Sequence, residues 1–552
     1  MIDWAGRLTP YPTELIERFR ALGLWGDRPL ASEFHEVALR QPDHVALATA
    51  ERSVTYAELD EVTDRLALGL HGLGLEPGDR VIVQLSNQCM TVIAWYGMLK
   101  AGLIPVCTLA AHRGHEIGSI SRKVEAVAHL VEHTPSGFDL VRFAAEQAAG
   151  HPTMHQILTI DADEGAPGAR LEDLIAAADP AAARALVDDL QKAIEPEEIA
   201  VFQLSGGTTG VPKIIPRLHA EYWYNAKVYA EARGWDETSR VAHLIPIIHN
   251  AGIVCGVHAA HAVGGTLVLS SANLDQALPV LIQERATAIL IGHAHYGIVN
   301  HPLFDEVSTT MKQVLLSGAK VPEKLFEAFE RRGVAVGQKF GMGEGLFTST
   351  GFDSPRTLRL TSVGLPISPE DEFKVIDPDT AQELPDGEPG ELICRGPYTI
   401  RGYFDAPEIN QSAFIEDGFY RSGDLVKVIN IDGMRSISME GRIKDLINRG
   451  GEKISAEEVE GLLVKHPRIT AAAVVAMPDE RLGEKACAYL VSNGEPLTMA
   501  EVQAHLQSLG VAKFKWPERL ERIDQMPKTP VGKLNKKELH QDLLARLARA
   551  MS

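Results

Sequence analysis

Cysteine is scarce in this chain. There are five in 552 residues (Cys89, Cys107, Cys255, Cys394 and Cys487), odd in number and without a CxxC pair. That excludes a disulfide framework and a cysteine-based structural zinc site, and it suits a reducing cytoplasm. Positive charge is also in deficit, with 54 Lys and Arg against 74 Asp and Glu and a net charge of −20. General nucleic-acid and anionic-membrane binders need basic surface, so neither class fits. The N-terminal MIDWAGRLTPYPTEL has no basic stretch followed by an apolar one, so no signal peptide is expected. Long apolar runs are missing too. The most apolar segment, residues 90–111, contains Lys100, Gly102 and Pro105 and reads as a buried helix, a turn and a buried strand, with no membrane span.

What is present is ordinary globular composition, 45% apolar and 23% charged, in a chain long enough for more than one domain. Apolar strand-like runs (RVIVQL, LIPVCTL, AHLIPI, GTLVLS, TAILIG) interleave with helical patterns such as ELDEVTDRLALGLHGLG. Strands alternating with helices predict an α/β architecture with mainly parallel sheets. The Ala-rich residues 176–185, interrupted by Pro180, predict a surface helix. Charge breaks near residue 444: 38 basic and 59 acidic residues up to that point, 16 and 15 after it, and 10 and 5 from Val511 on.

One ten-residue stretch gathers phosphate-binding chemistry: Leu204-Ser205-Gly206-Gly207-Thr208-Thr209-Gly210-Val211-Pro212-Lys213. Glycines let backbone N–H groups approach phosphate oxygens, hydroxyls donate to them, and Lys213 adds charge. It is not a Walker loop, because Ile214 replaces the Ser/Thr that would hold magnesium. Alone, it equally fits a solvated turn. Further motifs follow in order. They are Phe340-Gly341-Met342-Gly343-Glu344-Gly345, then Tyr420-Arg421-Ser422-Gly423-Asp424 with the Asp read as a turn residue, then Gly441-Arg442-Ile443-Lys444-Asp445 leading into Gly450-Gly451-Glu452, and finally Pro527 to Leu534 around Lys533.

In this order and spacing the motifs resemble those of the adenylate-forming superfamily over nearly the whole chain. The phrases QLSGGTTGVPKIIPR, FGMGEGL and GRIKDLINRGGEKISAEEVE are similar to the stand-alone aryl-acid–AMP ligases, which act on acids such as 2,3-dihydroxybenzoate and salicylate. The resemblance implies an N-terminal body, residues 1–443, of mainly parallel αβ layers plus a small β-barrel-like part. A small mobile α+β domain, residues 444–552, would hinge at Lys444. It implies ATP and Mg²⁺, formation of an acyl-adenylate, and transfer to a thiol. Ser205, Gly206, Gly207, Thr208, Thr209 and Lys213 would hold phosphates, and Glu344 the metal. Gly318, Ala319, Lys320, Phe340, Gly341 and Met342 would line the nucleotide pocket. Asp424 would take the ribose hydroxyls with Arg442 nearby, Lys533 would bridge the reacting groups, and Gly450-Gly451 would approach the pantetheine channel.

The same resemblance places the acid at His249, Asn250, Ala251, Cys255, Gly343 and Phe347. An Asn instead of an Asp suits a neutral ortho substituent over an ammonium group. Ala251 where relatives have Tyr, Cys255 for Ser and Phe347 for a smaller residue imply a less polar pocket. A salicylate-like or ortho-substituted benzoate, including an aminobenzoate, then fits better than 2,3-dihydroxybenzoate. The expected partner is a phosphopantetheinylated aryl carrier protein in natural-product or siderophore biosynthesis. Only 13 residues follow Leu539, which leads us to expect that carrier on a separate chain. An aryl-CoA ligase is the alternative, and the intact Glu344, Asp424, Arg442 and Lys533 oppose a mere acid-binding protein. Cys255, His258 and His261 have metal-like spacing but lie in an apolar stretch and read as core. His293 and His295 read as strand-end residues, one of them able to line the acid pocket, and EEVEGLLVKH as an amphipathic helix on its own small domain.

Overall fold

A computed structural model describes every residue except 1, 135–136, 206–211, 318–320, 450–451, 480, 510, 512, 530–533 and 552. Four sheets organise the described residues. In the seven-stranded sheet Arg80–Gln84, Ile104–Cys107, Ala128–Glu132, Gln156–Ile160 and Ile199–Leu204 run parallel, and Ile214–Leu218 turns back antiparallel beside the last of them. In the nine-stranded sheet Arg240–His243, Thr266–Leu269, Ala288–Ile291, Gln313–Ser317 and Ala335–Met342 are parallel, and Gly345–Ser349 reverses at the end. These parallel strands are apolar on both faces because helices cover both sides. The mixed α/β architecture read from the alternation is therefore present.

The expected barrel-like part is a four-stranded antiparallel sheet of Glu372–Ile376, Gly390–Arg395, Tyr420–Ile431 and Met434–Arg442. The fourth sheet draws only on later residues: Leu446–Arg449, Glu452–Ser455, Ile469–Asp479, Gly483–Ser492 and Arg519–Arg522. Against it lies the helix Ala456–Leu463, whose Val459 and Leu463 pack with Ile447, Ile454, Val502 and Leu506. This is the amphipathic helix expected from EEVEGLLVKH.

Local chemistry explains several boundaries. Thr55 starts the helix Tyr56–Gly72 with a capping box: its hydroxyl accepts from Glu58 N at 3.2 Å, and Glu58 Oε2 accepts from Thr55 N at 2.8 Å. The apolar residues 90–111 become the helix Cys89–Lys100 and the strand Ile104–Cys107. Among the described residues no helix is long and apolar enough to cross a membrane. Lys100 tolerates that setting because Asp60 and Asp64 meet its ammonium at 2.6 and 2.5 Å, and Arg184 adds a 3.1 Å contact to Asp64.

Two sequence expectations need correction. The strand in AHLIPI stops at His243, and Leu244 onward leads into the site. The Ala-rich segment is two helices, Leu171–Ala177 and Pro180–Lys192, and not one interrupted helix. Pro180 begins the second, where no N–H donor is required, and Asp179 caps it by accepting from Ala182 N at 2.9 Å.

Candidate functional site

The 205–213 loop joins the antiparallel pair Ile199–Leu204 and Ile214–Leu218. Ser205 and Lys213 close its base: Ser205 N donates to the Lys213 carbonyl at 2.9 Å, and Lys213 N donates to Ser205 Oγ at 3.0 Å. Gly206, Gly207, Thr208 and Thr209, assigned to the phosphates, lie outside the described residues. From the loop's end Lys213 Nζ reaches the Tyr403 hydroxyl at 3.2 Å and stands 4.2 Å from that ring's centre. The same hydroxyl donates to Glu344 Oε1 at 2.7 Å and meets the Tyr420 hydroxyl at 2.9 Å. Burial holds the Lys213 ammonium below the usual lysine range; Glu344 opposes that shift and the Lys444 charge adds to it. Lys444 therefore stands within electrostatic reach of the loop.

Glu344 is delivered by a tight hairpin between Ala335–Met342 and Gly345–Ser349. Gly345 takes φ +123°, and a Cβ there would lie 2.5 Å from Thr399 Cα, so only glycine closes this turn. Phe340 is half-buried against the apolar cluster that includes Ile215 and Met342, on the face opposite Lys339 and Gly341. Gly318, Ala319 and Lys320 lie outside the described residues.

Beneath the hairpin lies a side chain the sequence reading did not single out. Arg217, fully buried, sits on the strand Ile214–Leu218 and pairs with Glu221 at 2.7 Å. Its Nη1 donates to the Gly343 carbonyl at 2.8 Å and to Asn250 Oδ1 at 3.3 Å. Asn250 Oδ1 also accepts from the Tyr222 hydroxyl at 2.9 Å. One guanidinium thus ties together two expected acid-pocket residues, Asn250 and Gly343. An arginine in the apolar phrase IIPRL, with a glutamate four residues on, was the available signal.

His249 caps the short helix Asn250–Gly252, with Nδ1 accepting from Ala251 N at 3.2 Å. That places any proton of the neutral ring on Nε2. Cys255, one helical stretch further, is buried. Burial pushes its thiol up despite the neighbouring Lys339 and Arg233 cations. Phe347 is buried between Tyr229 and Tyr398, with ring centres 6.1 Å from each. Lys339 Nζ lies 3.6 Å from the centre of the Phe347 ring. The sequence reading did not single out this lysine: it alternates onto the Gly341 face of its strand and folds across a residue with no side chain.

Asp424, 2% exposed, pairs with Arg442 Nε at 2.6 Å across adjacent strands. It is not a turn residue, as the sequence suggested, but lies inside the strand Tyr420–Ile431, where Gly423 at φ +69° and a register shift create a bulge. Lys533 and the Gly450-Gly451 pair lie outside the described residues. The Cys255-His258-His261 spacing resolves as core. His258 Nε2 accepts from Trp95 Nε1 at 2.9 Å, and His261 meets the Tyr96 hydroxyl at 2.8 Å. Among the described residues no three His, Cys, Asp or Glu groups gather as a metal cage. His295 faces the Ala272 carbonyl at 3.1 Å, in the helical segment His293–Asn300 and not at a strand end. All five cysteines are free thiols.

Comparison with known proteins identifies the family. Residues 34–404 match the AMP-binding enzyme family, and residues 458–533 match the AMP-binding enzyme C-terminal domain. A salicylyl-CoA synthase / salicylate adenylyltransferase from a Streptomyces species is 38% identical, over 96% of this chain and 96% of its own length. The 2,3-dihydroxybenzoate–AMP ligase of Bacillus subtilis is 36% identical over 98% of both chains. Among solved structures, apo MbtA of Mycobacterium smegmatis superposes with a TM-score of 0.73 at 36% identity, covering 97% of this chain and 98% of that one. The chain therefore belongs to the AMP-binding enzyme family, and it is an adenylate-forming ligase.

Proposed function

We propose that this enzyme activates an aryl carboxylic acid with ATP and delivers the acyl group to the phosphopantetheine thiol of a separate aryl carrier protein. The observation that carries the reading is the Lys213–Tyr403–Glu344 cluster at the mouth of the 205–213 loop. Arg217 ties the adjoining Gly343 turn to Asn250. These contacts join residues assigned to phosphates with residues assigned to the acid, and that supports the reading. An oxygen of the acid attacks the α-phosphorus, and its bond to pyrophosphate breaks. The thiol then attacks the acyl carbon and AMP leaves.

In this scheme the 205–213 loop and Lys213 hold the leaving phosphates and neutralise their charge. Asp424, oriented by Arg442, accepts from the ribose hydroxyls. Glu344 fits a Mg²⁺ site: one oxygen is held by Tyr403, and a lone carboxylate leaves the remaining positions to phosphate oxygens and water. Bound there, the ion would offset negative charge on the nucleotide. His249 and Asn250 orient the acid, and Lys533 bridges acid and phosphate. The body is residues 1–443. Residues 444–552 turn about Lys444 between the half-reactions, bringing Gly450 and Gly451 to the thiol. A cytoplasmic setting suits the free thiols.

The test is ATP–pyrophosphate exchange across benzoates and aliphatic acids, with and without Mg²⁺, followed by acceptor competition. Exchange with aryl acids and transfer to a pantetheinylated carrier is expected, with salicylate-like or ortho-substituted acids preferred. Preference for an aliphatic acid overturns the aryl assignment. CoA as the better acceptor would favour the aryl-CoA ligase reading, to which the name of the Streptomyces relative lends weight.

A further inference from the structure

Two cations are buried at the inner wall of the acid site without an acid to pair with. Lys339 is 4% exposed and Arg233 6% exposed. Among the described residues neither has a carboxylate partner. Lys339 is held by the Cys255 thiol and the Phe347 and Tyr229 rings, and Arg233 by Ser349 Oγ at 2.7 Å and the Phe352 ring at 5.4 Å. Ser349 is the cross-strand partner of Lys339, so both cations converge on one rung of the sheet. The buried Arg233 Nε has no hydrogen-bond acceptor.

Such an arrangement is unfavourable in an apo enzyme. Burying an ammonium is costly, and cation–π contacts return only part of that cost. A thiol is a weak acceptor. Burial and the Arg233 charge both push the Lys339 ammonium down from the usual lysine range. Two other buried cations are differently placed: Arg217 has Glu221, and Lys100 has two aspartates. Among the described residues Lys339 and Arg233 are left without a counter-charge.

The direction of Lys339 indicates what would supply one. Residues 339 and 341 share one face of the strand, and Gly343 follows in the turn beyond its end. A Cβ on Gly341 would lie 2.8 Å from Lys339 Nζ and 2.5 Å from a Phe347 ring carbon. The lysine is therefore folded along the strand toward the turn of Gly343 and Glu344, and stops about two residues short of it, roughly 7 Å. That span is about the length of a benzoate whose carboxylate lies at the turn.

We propose that Lys339, supported by Arg233, is a specificity-determining residue for an aryl acid that carries an oxygen acceptor, a second carboxylate or an acidic hydroxyl, meta or para to the reacting carboxylate. The inference rests on the aryl-acid reading of the site and deepens it. A neutral ortho substituent facing Asn250 remains compatible. The added requirement is an acceptor on the ring's far edge.

The experiment measures ATP–pyrophosphate exchange with benzoate, salicylate, the 3- and 4-methylbenzoates, the 3- and 4-hydroxybenzoates, isophthalate and terephthalate. For the wild-type enzyme, at least one acid with a meta or para oxygen should exceed its methyl counterpart by about tenfold or more in kcat/KM. In Lys339→Met that ratio should fall by about tenfold or more, with the two hydroxybenzoates and the two dicarboxylates reporting separately on hydroxyl and carboxylate. Wild-type preference for benzoate or the methylbenzoates overturns the proposal without any variant, so a poorly folding Lys339→Met does not protect it. An unchanged ratio in a folded variant overturns it as well. Exchange with none of these acids overturns the aryl-acid reading and this inference together.

Discussion

Lys213 and Glu344 share one tyrosine hydroxyl: Tyr403 Oη meets Lys213 Nζ at 3.2 Å and donates to Glu344 Oε1 at 2.7 Å. The two residues come from different sheets, 131 positions apart, and Tyr403 makes their spacing a fixed quantity. Tyr403→Phe keeps the ring and removes the link. ATP–pyrophosphate exchange should fall about tenfold, chiefly through a higher KM for ATP and a higher Mg²⁺ requirement. Wild-type values for both would show that the hydroxyl does not position the pair.

Arg217 makes a second prediction, on stability. With Glu221 fully enclosed beside it, Arg217→Met leaves a buried carboxylate without its cation. Loss of one member of a buried pair costs about 3–5 kcal/mol. The denaturant midpoint should drop accordingly. Arg217→Met with Glu221→Gln should recover part of the loss, because no unpaired charge then remains. A single variant as stable as wild type would contradict the pairing.

Lys533→Ala separates the half-reactions. Adenylate formation should be abolished, whereas transfer from a pre-made acyl-adenylate should continue at close to the wild-type rate. Equal loss in both steps would remove Lys533 from the adenylating role.

Asp371 gives a pH dependence. Burial lifts its carboxyl to about 8, while Tyr398 donates to it and in turn accepts from Phe347 N at 3.4 Å. The unfolded chain releases this proton near pH 4 and the folded protein keeps it to about pH 8. Between those values the folded state binds more protons, so the group's contribution to stability falls as pH rises. Asp371→Asn cannot titrate. Its urea midpoint relative to wild type should therefore rise steadily from pH 5 to pH 8.5. A constant difference across that range would place the carboxyl's titration elsewhere.

Charge asymmetry predicts a salt effect on transfer. Residues up to 444 carry 38 basic and 59 acidic side chains, while those from Val511 on carry 10 and 5. An acidic carrier should be guided to the basic tail, so raising salt should slow acyl transfer while leaving pyrophosphate exchange nearly constant. Transfer independent of salt counts against this route.

By itself, the sequence determined the family, the α/β class and the loops that carry backbone-dependent chemistry. The glycine- and hydroxyl-rich residues 205–213 were legible because such residue types suit phosphate contact whatever surrounds them, whereas the need for glycine at 345 came from the structure. The helix in ELDEVTDRLALGLHGLG and the buried helix before Gly102 were legible from their apolar patterning, whereas the cap at Thr55 was not singled out. The tertiary structure alone decided the roles of Arg217, Tyr403 and Lys339. A charged residue on an apolar strand acquires meaning from what faces it, and those partners arrive from distant strands. Glu221 gives Arg217 a structural charge to hold. Lys339, also buried, meets a thiol and two aromatic rings and no carboxylate among the described residues, and that difference in counter-charge turns a strand residue into a candidate reader of the substrate.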